Sequence, residues 1–239
     1  MRAVILAGGR GQRLAPYTTV IPKPLLPLGD RPILDVIIHQ LANAGITHLT
    51  LTLGYMSDYF RVFLAQRPLL HKLMKIDFIE ESEPTGTAGS LSFVPNLDEP
   101  FLVMNGDILT DLNYRALIDQ HLASDAWLTI ATYNKPVKID LGVIESDAEG
   151  RVTDYIEKPT LNYAVSMGIY IYSPEVLGYI PRGKYLDFPT LVLRMRDMGK
   201  PVRTFQSNCT WLDLGRPEDL LAATEMFIAR EEQYLPKVA

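Results

Sequence analysis

Short, continuous apolar runs dominate the first 105 residues, and stretches with helical spacing separate them. The runs span residues 3–6, 48–53, 75–79 and 101–104. Continuous rather than alternating apolar runs are typical of strands that are buried on both faces. Residues 32–44 have the apolar spacing of a helix and stop at Gly45, a residue type that ends helices. Strands that alternate with helices predict a mostly parallel sheet covered by helices.

After about residue 125 the apolar runs come closer together. They span residues 127–133, 141–145, 152–157 and 167–172, with a turn at Glu149-Gly150. This rhythm predicts antiparallel strands that are added to the sheet. Two later segments, 187–198 and 217–234, have helical patterns, and no linker is visible. We therefore expect one α/β domain over residues 1–239 with a β-rich second half.

Composition narrows the class of protein. The 239 residues carry a formal net charge of -5, which argues against a protein that coats nucleic acid. The one cysteine, Cys209, excludes an internal disulfide and a Cys-rich zinc site. No apolar run approaches the roughly 20 residues that span a bilayer. The apolar stretch at the N-terminus is too short for a signal peptide, so we expect a cytoplasmic protein with no membrane partner.

A glycine-rich loop follows the first apolar run. Residues 6–14 read Leu-Ala-Gly-Gly-Arg-Gly-Gln-Arg-Leu. Glycines allow backbone N–H groups to wrap a phosphate, and arginines offer donors in fork geometry. The loop lacks the Gly-Lys-Ser/Thr of a Walker loop, and Leu14 stands where a dinucleotide-binding loop has its third glycine. A tight strand-to-helix turn with solvated arginines is the alternative interpretation.

Lys23 lies between two prolines, Pro22 and Pro24. Proline fixes its own φ and biases the preceding residue to extended geometry, so this lysine is held on a stiff, non-helical segment. A compact ammonium group on such a backbone is suited to meet a phosphate. A surface lysine in a Pro-rich loop is the other interpretation.

Several ordered motifs together resemble one family. Gly8-Gly9-x-Gly11-x-Arg13-Leu14 and Pro22-Lys23-Pro24-Leu25 resemble the signature of the sugar-1-phosphate nucleotidyltransferases. The similarity continues through Glu83-Pro84-Thr85-Gly86-Thr87-Ala88-Gly89, Asn105-Gly106-Asp107, Glu157-Lys158-Pro159, Met167-Gly168-Ile169-Tyr170 and Trp211-Leu212-Asp213-Leu214-Gly215. The resemblance implies a Rossmann-like three-layer sandwich with a mixed, mostly parallel central sheet. It also implies a nucleotide-binding half over about 1–125 and a sugar-binding half over about 126–239.

The resemblance implies Mg²⁺-dependent transfer of a nucleoside monophosphate from an NTP to a sugar 1-phosphate, with release of pyrophosphate. The implied catalytic side chains are Arg13, Lys23, Asp107 and Lys158. The implied nucleotide contacts are Leu6, Ala7, Gly8, Gly9, Gly11, Arg13, Lys23, Glu83, Gly86, Thr87 and Ala88. The implied sugar-phosphate contacts are Asn105, Gly142, Glu157, Lys158, Ser166 and Gly168. Asp107 and Asp213 would hold Mg²⁺, which prefers one or two carboxylates plus water and phosphate oxygens.

The expected reaction requires no general base, because a phosphate oxygen is already ionised at neutral pH. This agrees with a sequence whose four histidines, His39, His48, His71 and His121, are isolated. Positioning and charge neutralisation are what the reaction needs. For the two aspartates, a helix N-cap or a turn is the alternative role, and Asp111 is assigned to a cap or turn.

The motifs are most similar to those of mannose-1-phosphate guanylyltransferases and their heptose relatives. Two positions depart from the family: Leu141 replaces the tyrosine of Tyr-Gly-Val, and Ser166 replaces a common asparagine. These departures leave the identity of the sugar open. Uridylyl, cytidylyl and thymidylyl transfer also stay open, because base choice depends on a few backbone hydrogen bonds. A non-catalytic regulatory subunit that binds a nucleotide sugar and a homo-oligomeric state stay open as well. A nicotinamide-linked oxidoreductase is disfavoured because the three-glycine turn is incomplete.

Overall fold

The computed structural model describes residues 1–235, so the last four residues of the expected 1–239 domain lie outside the described residues. In chain order the elements are β1 (Arg2–Leu6), β2 (Pro27–Leu28), β3 (Arg31–Pro32), α1 (Ile33–Asn43), β4 (His48–Leu53), α2 (Ser57–Ala65), α3 (Pro68–Leu73), β5 (Lys75–Glu80), α4 (Gly86–Gly89), β6 (Phe101–Asn105), β7 (Ile108–Thr110), α5 (Tyr114–Leu122), β8 (Leu128–Lys138), β9 (Val143–Ser146), β10 (Val152–Ile156), β11 (Thr160–Tyr172), α6 (Phe188–Asp197), β12 (Val202–Ser207), β13 (Trp211–Asp213), α7 (Pro217–Ala229) and α8 (Glu231–Tyr234).

The central sheet has seven strands in the order β12-β8-β11-β6-β1-β4-β5. The pairs β1/β4, β1/β6, β4/β5 and β8/β12 are parallel. Strand β11 is antiparallel to both of its neighbours, β6 and β8. The expected mixed, mostly parallel sheet is therefore confirmed, with one reversed strand in the middle.

The β-rich second half differs in detail from the prediction of antiparallel strands added to the sheet. Strands β9 and β10 form a separate two-stranded sheet instead of joining the central one. Strand β12 was not predicted, because its sequence Val-Arg-Thr-Phe-Gln-Ser is too polar to resemble a buried strand. It is the edge strand of the sheet, where such a composition is tolerated.

Two apolar cores lie on opposite faces of the sheet, as a three-layer sandwich requires. The larger core packs α1, α2, α5 and α7 against one face, with Ile5, Leu51 and Met104 pointing into it. The smaller core packs α4 and α6 against the other face, around Val4 and Val103. Side chains on one strand alternate between the faces, so consecutive residues such as Val4 and Ile5 enter different cores. In residues 1–235, no helix has the length and apolar character that crossing a bilayer requires.

Residues 134–166, called the arm below, extend from the sheet as the outer parts of β8 and β11 with the hairpin β9–β10 between them. No residue of this segment is buried. The register of β8 and β11 shifts between Ser166 and Tyr170, so the arm begins at an irregularity in the sheet. Gly168, with a φ of 71°, lies within this irregularity.

Candidate functional site

The glycine-rich loop leaves the end of β1 in a conformation that its glycines make accessible. Gly11 has a φ of 60°, and a Cβ there would lie 2.9 Å from Thr18 Cγ2. Thr18 Oγ1 donates a hydrogen bond of 2.9 Å to the Gly11 carbonyl oxygen, and this bond stabilises the turn. The loop thus keeps a defined shape while Gly9 and Arg10 stay exposed to solvent.

Lys23 is buried, with 8% of its surface exposed, so the surface-lysine interpretation is wrong. It begins a short 3₁₀ helix, Lys23–Leu25, so the expectation of a non-helical segment is wrong at this residue. Its ammonium forms an ion pair with the Asp107 carboxylate, and Nζ lies 4.0 Å from Asp213 Oδ1. A buried ammonium needs such partners, because an unpaired charge in this position would be costly.

Asp107 and Asp213 come together through a short two-stranded sheet. Asp107 follows β6, and Asp213 ends β13, which pairs with β7 so that Asp213 lies opposite Ile108. Leu214 N donates a hydrogen bond of 3.0 Å to the Asp107 carbonyl oxygen. Neither aspartate is an N-cap of a helix; strand pairing places both carboxylates next to the Lys23 ammonium.

The charges around Asp213 alter its acidity. Burial and the nearby Asp107 carboxylate raise the pKa of Asp213, and the Lys23 and Arg13 cations partly oppose this. The Arg13 guanidinium lies beside Gly215, since a Cβ on Gly215 would be 3.3 Å from Arg13 Nη2. Two carboxylates and two cations therefore share one end of the sheet.

Three of these groups, Arg13, Lys23 and Asp107, line a pocket of about 520 Å³. It is lined by Leu6, Ala7, Gly9, Arg10, Gly11, Gln12, Arg13, Lys23, Pro24, Gly106, Asp107 and Gly215. It lies outside the carboxyl ends of β1 and β6, where open α/β sheets bind their ligands. A glycine loop with arginines, a lysine and two carboxylates suits a polyphosphate together with a divalent cation.

The donor set fits a magnesium ion. Asp107 and Asp213 both reach toward one cation, the Lys23 ammonium, so a second cation between them would have two carboxylate ligands. Within residues 1–235, no group of three or more His, Cys, Asp or Glu side chains could hold a metal. An ion bound here would therefore take its other ligands from water and phosphate, as Mg²⁺ commonly does.

A second region borders the loop near Gly8. The Gly8 carbonyl oxygen accepts a hydrogen bond from Tyr55 N at 3.4 Å, and a Cβ on Gly54 would lie 3.1 Å from that oxygen. Glu81, the first residue after β5, directs Oε1 toward Gly8, where a Cβ would be 3.7 Å away. Its other oxygen accepts hydrogen bonds from Thr85 N at 3.2 Å and Thr85 Oγ1 at 2.5 Å.

Sequence reasoning named Glu83 in this region and did not name Glu81. In the structure Glu83 is exposed, whereas Glu81 Oε1 lies beside Gly8 of the loop. The signal was present in the strand pattern. Side chains alternate along β5, and the first residue beyond the strand lies at the same sheet edge as the ends of β1 and β4.

The segment Gly86–Gly89 is anchored to the second half of the chain. Gly86 has a φ of 82°, and a Cβ there would lie 2.6 Å from the Leu186 carbonyl oxygen. That oxygen accepts hydrogen bonds from Ala88 N and Gly89 N, and Thr87 Oγ1 accepts one from Phe188 N at 2.8 Å. The Thr87 hydroxyl therefore holds the start of α6.

The predicted sugar-phosphate residues lie in two places. Asn105 ends β6 beside Gly168, whose Cβ would lie 2.7 Å from Asn105 Nδ2. Ser166 Oγ lies 3.2 Å from the Tyr170 hydroxyl and accepts a hydrogen bond from Gly168 N at 3.3 Å. The other predicted residues, Gly142, Glu157 and Lys158, lie on the arm, and none of the six lines the pocket.

None of the four histidines lines the pocket. His121 is buried, where its ring nitrogens contact Thr129 Oγ1 at 2.8 Å and Ser173 Oγ at 3.1 Å. Asp111 accepts a hydrogen bond from Thr210 N at 2.6 Å. This contact joins segments 99 residues apart in the chain, so the assignment of Asp111 to a cap or turn is wrong.

Comparison with known proteins identifies the family. Residues 2–230 match the family model described as nucleotidyl transferase. The chain belongs to this family. The resemblance to sugar-1-phosphate nucleotidyltransferases that the motifs indicated is confirmed.

The names of similar proteins in this nucleotidyl transferase family refer to different bases. The chain is 31% identical to the mannose-1-phosphate guanyltransferase of Aspergillus oryzae over 237 residues, covering 95% of this chain and 64% of the relative. It is also 31% identical to the UTP--glucose-1-phosphate uridylyltransferase of Synechocystis sp., covering 97% of this chain and 64% of the relative. The chain therefore spans less than two thirds of the length of these relatives.

A solved structure is similar over almost its full length. HddC from Yersinia pseudotuberculosis superimposes with a TM-score of 0.71 and 29% identity, covering 95% of this chain and 99% of that one. A second structure of HddC, in complex with GMP-PN, superimposes with a TM-score of 0.68.

Proposed function

We propose that this chain catalyses the Mg²⁺-dependent transfer of GMP from GTP to a mannose- or heptose-type sugar 1-phosphate, releasing pyrophosphate. The observation that carries the proposal is that Arg13, Lys23 and Asp107 line one pocket beside the glycine-rich loop, with Asp213 Oδ1 4.0 Å from Lys23 Nζ. The guanyltransferase relatives support the choice of base.

In this reaction, these residues would position the two substrates and neutralise the negative charge of the phosphates. The attacking group is an oxygen of the sugar phosphate, and the bond that breaks joins the α-phosphorus of GTP to the bridging oxygen of pyrophosphate. Arg13 and Lys23 would bind the triphosphate and neutralise charge on the departing pyrophosphate. Gly9 and Gly11 would let backbone N–H groups approach the same phosphates.

Mg²⁺ bound by Asp107 and Asp213 would supply a further positive charge that polarises the α-phosphate. The Lys23 ammonium, which lies beside both carboxylates, would pair with a phosphate oxygen of the bound nucleotide.

Glu81 supports guanine over uracil. Guanine presents two neighbouring donors, N1–H and the N2 amino group, to a carboxylate. Uracil presents one N–H between two carbonyl oxygens, which a carboxylate repels. Because Oε2 of Glu81 is held by Thr85, Oε1 stays directed toward Gly8, where we place the base.

The arm would supply the sugar contacts. Glu157 can accept hydrogen bonds from ring hydroxyls, and the Lys158 ammonium can pair with the sugar phosphate. Backbone groups at Gly142 would approach the sugar ring. These assignments rest on motif resemblance and on the position of all three residues at one end of the hairpin β9–β10.

A substrate grid tests the proposal. Pyrophosphate release is measured with Mg²⁺ for GTP, UTP, CTP, dTTP and ATP, each combined with mannose, glucose, glucosamine and heptose 1-phosphates. We expect signal in the GTP row with a mannose or heptose 1-phosphate. A strong signal only in the UTP row would favour the uridylyltransferase alternative, and a silent grid would contradict nucleotidyl transfer.

A silent grid leads to a second measurement. If GDP-mannose or another nucleotide sugar still raises the melting temperature by mass action, the chain is a binding subunit and not an enzyme. If NADH, tested in parallel, raises the melting temperature instead, the result would support the oxidoreductase interpretation that the sequence disfavours.

A further inference from the structure

Tyr155 lies between two residues of the arm that motif resemblance assigns to the sugar. In the hairpin β9–β10, Tyr155 pairs with Ile144 and Ile156 pairs with Val143. Continuing this antiparallel register by one step places Glu157 opposite Gly142. Since side chains two residues apart share a face, Tyr155, Glu157 and Gly142 lie on the same side of the hairpin.

The ring of Tyr155 occupies the space above Gly142. A Cβ on Gly142 would overlap the Tyr155 hydroxyl oxygen and would lie 3.2 Å from ring atom Cε1. Gly142 has no positive φ, so its backbone conformation does not explain the glycine. What explains it is the diagonal neighbour, because the hydroxyl end of the Tyr155 ring fills the space that a Cβ at position 142 would take.

The hydroxyl of Tyr155 also holds Glu157. It donates a hydrogen bond of 3.1 Å to Glu157 Oε2, while Lys158 Nζ lies 3.7 Å from Glu157 Oε1. An ionised carboxylate has about four acceptor positions, so each oxygen keeps capacity for a further donor. The two contacts therefore fix the orientation of the Glu157 carboxylate and of its remaining acceptor positions.

We propose that Tyr155 is a positioning residue for the sugar 1-phosphate, which rests on the function proposed above. Its ring is seated on Gly142 and its hydroxyl orients Glu157 to accept hydrogen bonds from neighbouring sugar hydroxyls. Glu157 is exposed, and a long exposed side chain that is not restrained must lose rotamer freedom when it binds. Restraining it in advance improves sugar binding and leaves GTP binding unaffected.

Steady-state kinetics of Tyr155→Phe test the hydroxyl. The variant keeps the ring and loses the hydrogen bond to Glu157. With Mg²⁺–GTP saturating, we expect the KM for the sugar 1-phosphate to rise about three- to tenfold, as the loss of one charge-assisted hydrogen bond predicts. The KM for GTP and kcat should change less than about twofold. Tyr163→Phe, which alters another exposed arm tyrosine, is the matched control and should match wild type.

An unchanged KM for the sugar 1-phosphate in Tyr155→Phe would overturn the proposal, and so would an equal rise in the KM for GTP. Because wild type is assayed on the same plate, failure of the proposed function can be distinguished from failure of the proposal for Tyr155. An inactive wild type removes both proposals, whereas an active wild type with an unaffected variant removes only this one.

A stability cycle tests the ring contact without any activity. Gly142→Ala should lower the melting temperature by at least about 2 °C, since the new methyl meets the Tyr155 ring. In the Tyr155→Ala background the same change should cost nothing, because the ring is gone. Equal effects of Gly142→Ala in both backgrounds would show that the ring does not rest on Gly142.

Discussion

In the pocket, the charged groups stand at the ends of buried strands, whereas on the arm no residue is buried. Ile5 and Met104 lie within the strands that lead to the pocket, and neither is exposed. The arm instead exposes large apolar side chains, namely Val137, Leu141, Ile144, Val152, Tyr155, Ile156, Leu161 and Tyr163. The two regions therefore differ in what holds their functional side chains in place.

The difference separates two ways of building a site. In the pocket, the sheet and both cores fix the distance between Lys23 and the carboxylates, so geometry there depends on the whole fold. On the arm, Glu157 is held by its neighbours Tyr155 and Lys158. Substitutions in the pocket should affect chemistry and stability together. Substitutions that shorten a side chain on the arm should affect recognition with little change in stability.

Lys23→Met should produce the largest effect. Loss of a cation that stabilises the transition state should lower turnover by about 10²- to 10³-fold, as removal of one such donor does elsewhere. Asp107 and Asp213 would then face each other with only Arg13 nearby, so the melting temperature should also fall. Saturating Mg²⁺ should raise the melting temperature of the variant more than that of wild type. Initial rates and thermal melts with and without Mg²⁺ measure both.

Lys138→Met is the matched control for that prediction. Lys138 pairs with Asp140 at 2.8 Å, but both side chains are exposed on the arm. Exposed ion pairs contribute little, so turnover and melting temperature should stay near those of wild type. A similar loss of stability in the two lysine variants would erase the contrast between the pocket and the arm.

A pair of isoleucines tests the packing contrast directly. Ile5→Ala removes a fully buried side chain from β1 and should cost about 2–4 kcal/mol of unfolding free energy. Ile144→Ala changes a side chain that is 56% exposed on the arm and should cost no more than about 0.5 kcal/mol. Urea denaturation with a common m-value measures both. A loss for Ile144→Ala that approaches that of Ile5→Ala would mean that the arm is packed in solution.

The sequence predicts the pocket better than the arm for a physical reason. Continuous apolar runs mark β1, β4, β5 and β6, and their carboxyl ends define one sheet edge, where the family resemblance then singled out Asp107. The flanking prolines marked the segment around Lys23 as special, but it forms a 3₁₀ helix and not the extended chain that was predicted. These features depend on residues that are close together in the chain.

What the sequence did not predict depends on pairing between distant segments. The contact of Asp213 with Lys23 follows from the pairing of β13 with β7, which no local pattern encodes. The separate sheet of β9 and β10 follows from a choice of strand partners, and short apolar runs do not specify register on an exposed ribbon. Strand β12 was missed because edge strands tolerate polar residues.

Glu81→Gln should alter base selectivity. The amide replaces one acceptor with a donor, so the pairing with guanine donors weakens and the repulsion of uracil carbonyls falls. We expect the ratio of kcat/KM for GTP over UTP to drop about 10- to 100-fold, the usual size for one two-point contact to a base. Glu83→Gln, on an exposed neighbour, should keep the wild-type ratio. An unchanged ratio in Glu81→Gln would show that base choice is made elsewhere.

The smallest expected effect is on the pH dependence of stability. It concerns only the part of the protein outside the arm, since no histidine lies in residues 134–166. The hydrogen bond to Asp35 raises the pKa of His39, despite burial and the nearby Arg31 cation, which act in the opposite direction. The Asp35 carboxylate also faces Arg67, whose Nη1 lies 3.7 Å from Oδ2. A raised folded-state pKa stabilises the protein fully below the unfolded value of about 6.5, and this stabilisation is lost as pH rises through the folded value.

His39→Gln should therefore lower the melting temperature at pH 5.5 and have a diminishing effect as the pH is raised toward 8.5. Because the His39 side chain is 32% exposed, solvent screens the pair and the effect should stay below about 1 kcal/mol. His71→Gln, at an exposed position on α3, is the control for substitution itself. A melting-temperature difference that is constant across this range would mean that His39 acts by packing. If the melting-temperature difference between His39→Gln and wild type grew with pH, the protonated His39 would be destabilised by its surroundings, and the predicted attraction to Asp35 would be wrong.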